Sequence, residues 1–85
     1  MSFAELTARQ RDILVILNGI EPADPNEVKT HYEQYTDSEM GNGVLWSNIE
    51  RLATHGLVER CEESYKITEC GRELLEKHLS WRTRL

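Results

Sequence analysis

The stretch Gly43-Val-Leu-Trp-Ser-Asn-Ile-Glu-Arg-Leu-Ala-Thr-His-Gly-Leu-Val-Glu-Arg60, followed at once by Cys61-Glu-Glu-Ser-Tyr65-Lys-Ile-Thr68, decides how this chain folds. Leu45, Ile49 and Leu52 recur at i, i+4 and i+7, the spacing that lines one face of a helix with apolar side chains. Gly56 supplies a residue that accepts left-handed backbone and so ends that helix, predicted over 43–55. The chain then enters a short apolar strand at 57–61, turns through Glu62-Glu63-Ser64 and returns as a strand at 65–67. Val58 is expected to face Ile67 across the pair.

Outward from this stretch, Thr7-Ala-Arg-Gln10 has the form of a capping box. It opens a helix to about Asn18, with Ile13, Ile16, Leu17 and Ile20 as its buried stripe and Gly19 as its breaker. Asp24-Pro-Asn-Glu27 is a second capping box with proline at the first helical position. Ala23 can staple onto Val28, and the helix from Pro25 to about Tyr35 turns Val28, Tyr32 and Tyr35 inward. The polar segment from Thr36 to Asn42, with Gly41 and Gly43 beside Asn42, reads as a turn. Thr68 is expected to cap a last helix from Glu69 to about Arg84.

The order is therefore α-α-α-β-β-α, a mainly α chain with a small β-hairpin wing, which is the pattern of a winged helix-turn-helix. Residues 1–68 are expected to form the winged helix-turn-helix unit, and residues 69–85 a C-terminal dimerisation helix of the same single domain. Leu74, Leu75, Leu79, Trp81 and Leu85 span more of that helix than one packing contact needs, since an apolar stripe of about 100° suffices for one. A domain of 85 residues also buries only about 60 to 65% of its unfolded surface, so a second copy would add core.

Composition narrows the function. No apolar run reaches the length of a membrane span and the N-terminal residues lack the pattern of a signal peptide, so a cytoplasmic location is expected. Cys61 and Cys70 form neither a disulfide framework nor a zinc-ligand pattern, and no metal or cofactor is expected. His31, His55 and His78 fall on different helices, and no nucleophile, base and acid share a catalytic spacing, so the chain is not expected to be an enzyme. Fifteen acids against ten bases give a net charge of −5, the opposite of the usual nucleic-acid binder. The bases are mostly Arg and the acids are scattered, a surface suited to a halophile's cytoplasm. At molar salt the screening length falls to about 3 Å, so a diffuse negative field then costs little.

Projected at 100° per residue, the third helix turns Gly43, Val44, Ser47, Glu50, Arg51 and Thr54 away from its apolar side, on which Ala53 is also placed. Asn42, Val44, Ser47, Asn48 and Arg51 are the candidates for reading DNA. Asn and Ser reach base edges or phosphates, Arg takes guanine or phosphate, and Val meets a thymine methyl. Arg60 and Lys66 on the wing strands are the candidates for phosphate contact, whereas Glu62 and Glu63 at the tip repel it. Trp46 projects at the flank, where either core packing or a DNA wedge is open to it.

The residues Gly43-Val-Leu-Trp-Ser-Asn-Ile49, Arg51-Leu52, Gly56-Leu-Val-Glu-Arg60 and Tyr65-Lys-Ile-Thr-Glu-Cys-Gly71-Arg72 resemble the PadR-like transcriptional regulators, especially their small haloarchaeal members. The resemblance covers roughly residues 5 to 80. Trp46 and Ser47 stand where that family has Tyr-Pro, and the wing is shorter than the family's. The resemblance implies a homodimeric repressor of double-stranded DNA, with the third helix in the major groove and the last helix across the two-fold axis. It also implies a small-molecule effector, which no residue identifies. The alternative is a winged-helix module that binds a protein and not DNA. A redox role for Cys61 and Cys70 would be a variant of the first reading.

Overall fold

Thr7 and Asp24 start the first two helices through reciprocal side-chain bonds. The Gln10 N–H donates to Thr7 Oγ1 at 3.2 Å while Gln10 Oε1 accepts from the Thr7 N–H at 3.1 Å. The Glu27 N–H donates to Asp24 Oδ1 at 2.9 Å, and Glu27 Oε1 accepts from the Asp24 N–H at 3.3 Å. Each box satisfies two amides that a helix start leaves bare, and a cap of this kind is worth about 1 kcal/mol. The computed structural model describes the backbone of residues 5–83 and the side chains as far as Lys77. Its elements are α1 (Ala8–Ile20), α2 (Pro25–Thr36), α3 (Asn42–Thr54), β1 (Val58–Cys61), β2 (Ser64–Ile67) and α4 (Glu69–Thr83).

Helix α1 is the centre of the domain, packing against α2, α3, β2 and α4. It runs through Gly19 to Ile20 and does not break near Asn18, because the Glu21 N–H still donates to the Leu17 carbonyl at 2.9 Å. Ile13, Leu14, Ile16 and Leu17 are all buried on it, so Leu14 joins the expected stripe. On α2, Val28 and Tyr32 are buried, but Tyr35 is 65% exposed and does not belong to the inner face. Met40, between α2 and α3, is instead a core residue, and its N–H donates to Glu33 Oε2 at 3.1 Å.

Helix α3 buries Leu45, Ile49 and Leu52, as its periodicity requires. Ala53, expected on the same side, is exposed. The helix ends in a Schellman turn: the Gly56 N–H donates to the Ala53 carbonyl and the Leu57 N–H to the Leu52 carbonyl, both at 2.9 Å. Gly56 holds φ +72°, which only glycine adopts without strain, and Leu52 and Leu57 are both buried at this turn. The hairpin β1–β2 follows in the expected register, Val58 facing Ile67 and Arg60 facing Tyr65. Glu62, the first of its two turn residues, has the positive φ of 59° that the primed turns suited to the twist of paired strands require there.

Two features tie the hairpin to the body. Ala23 pairs with Tyr65 through both of its backbone groups, at 3.0 and 2.8 Å, forming a one-residue third strand. Beyond it, where the next backbone partner would stand, the Glu21 carboxylate accepts from the Ile67 N–H at 2.8 Å and from Arg72 Nη2 at 2.7 Å. Thr68 then caps α4, its Oγ1 accepting from the Gly71 N–H at 3.1 Å and donating to the Gly56 carbonyl at 2.6 Å.

Candidate nucleic-acid interface

The turn from Asp37 to Gly41 brings α3 across the domain with one face sealed and the other bare. Ser47, Glu50, Arg51, Thr54 and His55 line a shallow open cleft along the outward face. Arg51 is exposed there, with Glu50 beside it. Val44 is also exposed, while Asn48 is half-buried and its Nδ2 donates to the Val44 carbonyl at 2.8 Å. The start of α3 has Gly41 as its N-cap and no side chain capping it. Bare amides and the positive end of the helix dipole therefore face solvent, an arrangement that favours an anion.

Lys29 of α2 strengthens this corner, its Nζ donating to Asn42 Oδ1 at 3.2 Å. Sequence reading missed Lys29, because its closeness to α3 depends on how α2 and α3 cross. Val44, Ser47 and Arg51 thus share one accessible face with Asn48 at its edge, while Asn42 is exposed at the N-terminal end of the helix, on the side toward Lys29.

The two wing bases are not brought together. Directly facing residues of a ladder share a side of the sheet, so Arg60 lies with Tyr65, and Lys66 lies on the other side with Glu59. Arg60 Nε donates to the Glu62 carbonyl at 2.8 Å, which folds its side chain along the turn. Lys66 Nζ stands 3.2 Å from Glu59 Oε1. Its pKa is raised above the ordinary 10.5, first by that hydrogen bond and then by the charges of Cys61 and Glu59. Lys66 therefore meets an outside phosphate only in competition with Glu59. Between α3 and the wing, Trp46 is 42% exposed and rests against the Tyr65 ring.

Of the expected dimer residues, Leu74 and Leu75 are buried within this chain, at 8% and 5% exposure, and so contribute little outward surface. The side chains of Leu79, Trp81 and Leu85 lie outside the described residues. Cys61 and Cys70 are exposed free thiols. Among the described residues, no group of three His, Cys, Asp or Glu could hold a metal ion, and no helix is long and apolar enough to cross a membrane.

The same architecture recurs in solved structures. RosR from H. salinarum superimposes with a TM-score of 0.85 at 32% identity, over 92% of this chain and 74% of RosR. The chain belongs to the RosR family of winged-helix transcription regulators. RosR in the complex designated RosR-SG gives a TM-score of 0.88, again at 32% identity, over 94% of this chain and 75% of that one. The activation domain of the phage T4 transcription factor MotA shares the fold, with a TM-score of 0.81 at 23% identity over 93% of this chain and 78% of its own. RosR is a winged-helix transcription regulator, and this chain is a regulator of that kind and not an enzyme. No protein-family model and no curated protein matches the sequence.

Proposed function

We propose that this chain regulates transcription by binding double-stranded DNA as a homodimer, with α3 of each copy in the major groove. The observation that carries this reading is the outward face of α3. It is accessible along its length and bears Val44, Ser47 and Arg51, and Asn42 stands at its uncapped start next to Lys29. Base edges in a major groove meet the short polar groups and Arg51, and a phosphate meets the amides at Asn42 and Gly43. Membership in the RosR family, several of whose structures are complexes, supports the reading.

Within that fold, the residues Gly43 to Arg51 and Tyr65 to Arg72 favour a PadR-like repressor, acting in the cytoplasm of a halophile. In the dimer, α4 of the two copies would meet through Leu79, Trp81 and Leu85, with Leu74 and Leu75 supporting that surface from within. A two-fold arrangement would present the two α3 helices to half-sites about one helical turn apart.

Selection of bound sequences from random duplexes in high potassium chloride tests the proposal directly. A palindromic consensus is expected, and Arg51→Ala should weaken binding to it by about 1 to 3 kcal/mol while the fold is kept. Sedimentation of the intact chain should give a dimer, and a clean monomer at tens of micromolar would refute the two-fold reading. Failure to bind any duplex at any salt would shift the function to a protein partner of basic charge.

A further inference from the structure

We propose that Trp46, braced by Tyr65 and on the same side of the hairpin as Arg60, is a saddle for the sugar–phosphate strand that runs between the groove occupied by α3 and the groove under the wing. This rests on α3 being the DNA-reading helix. Trp46 lies about a quarter turn from the buried line of Leu45, Ile49 and Leu52, on the side of α3 that faces the hairpin. Its ring centroid is 6.3 Å from that of Tyr65 at an interplanar angle of 73°, an edge-to-face contact. Tyr65 is itself buried, so a core residue fixes the indole while 42% of Trp46 stays open.

Arg60 completes the site. It faces Tyr65 across the ladder and so lies on the same side of the hairpin, while Glu59 and Lys66 occupy the other side. Its Nε bond to the Glu62 carbonyl holds the stem of the guanidinium, and its terminal nitrogens have no partner among the described residues. An apolar plate beside a guanidinium matches a deoxyribose beside a phosphate, a pair that recurs at every nucleotide. No base edge takes part, so the contact is independent of sequence. It also suits a chain of net charge −5, because salt that screens Arg60 does not weaken apolar contact with the indole.

The test uses the intact chain with two duplexes, one of its selected sequence and one scrambled. Indole fluorescence should change on saturation with both, and Trp46→Phe should abolish the change even though Trp81 remains. Trp46→Ala should lower affinity for both duplexes by the same factor, about tenfold, as loss of part of an indole face from an interface implies. The selected-to-scrambled ratio and the salt slope should stay as they were. Arg60→Ala should reduce the salt slope by about one. A fluorescence change that survives in Trp46→Phe, or a Trp46→Ala loss confined to the selected duplex, overturns the saddle while Arg51→Ala still reports base reading. If wild type binds neither duplex, the reading of α3 fails and the saddle fails with it.

Discussion

Alanine in place of glycine should act with opposite sign at two positions of this chain. At Gly71, in the first turn of α4, an added Cβ would collide with the Leu57 carbonyl oxygen and stand 2.8 Å from Ile67 Cγ1. That carbonyl cannot swing aside freely, since it accepts from the Thr68 N–H at 2.9 Å. Helix α4 must therefore lift from the hairpin, and overpacking of this kind costs about 1 to 3 kcal/mol. For a domain of this size each kcal/mol moves Tm by about 4 to 8 °C, so Gly71→Ala at about 2 kcal/mol should lower it by about 8 to 16 °C. At Gly19 the backbone is helical and nothing lies within 4 Å of the new methyl. There the same change removes chain entropy from the unfolded state and should add about 0.5 to 1 kcal/mol. Thermal and urea unfolding, followed by circular dichroism at one fixed high salt concentration, measure both. A Gly71→Ala protein that melts with wild type would refute the close approach of α4 to Leu57, and with it the packing described for the wing base.

Glu62→Lys combined with Glu63→Lys should strengthen non-specific duplex binding and steepen its salt dependence by about two, read from affinities across a potassium chloride series. Weaker binding would mean that the acidic tip makes a contact of its own. Glu21→Ala should cost about 1 to 2 kcal/mol, because the Ile67 N–H and Arg72 both lose their acceptor in a partly enclosed site. Glu21→Gln keeps an acceptor for Ile67 and loses only a half-exposed ion pair, so urea titration should place it within about 1 kcal/mol of wild type.

Local signals in the sequence carry most of this architecture. Capping boxes at Thr7 and Asp24, the terminating Gly56 and the period of Leu45, Ile49 and Leu52 each depend on residues within a few positions of one another. The facing of Val58 and Ile67 follows from a short turn in the same way. What the sequence hides depends on contacts between distant segments. Met40 is buried although it lies in the polar segment before α3, and Tyr35 is exposed although it keeps the helical spacing of the buried Val28 and Tyr32. Lys29 reaches Asn42 only through the crossing of α2 with α3. The outward face of α3 was legible for the same reason as its buried face, since one period defines both. The separation of Arg60 from Lys66 could be worked out from the register, but their engagement with the Glu62 carbonyl and Glu59 could not.

The pairing of Ala23 with Tyr65 and the reach of Glu21 to Ile67 also fix when the wing can form. Two strands of four residues joined by a two-residue turn are marginal alone in water. Here their exposed edge is completed by residues 46 and 42 positions upstream. The intervening loop holds all of α2 and α3, so closing it carries an entropic cost that is recovered only after those helices have docked. The hairpin is thus expected to form late in folding, for all its short-range appearance. Once formed, it cannot fray by itself, because opening Tyr65 or Ile67 also releases the end of α1. Amide exchange at these two residues should therefore track global unfolding, at a rate far below that of an isolated surface hairpin.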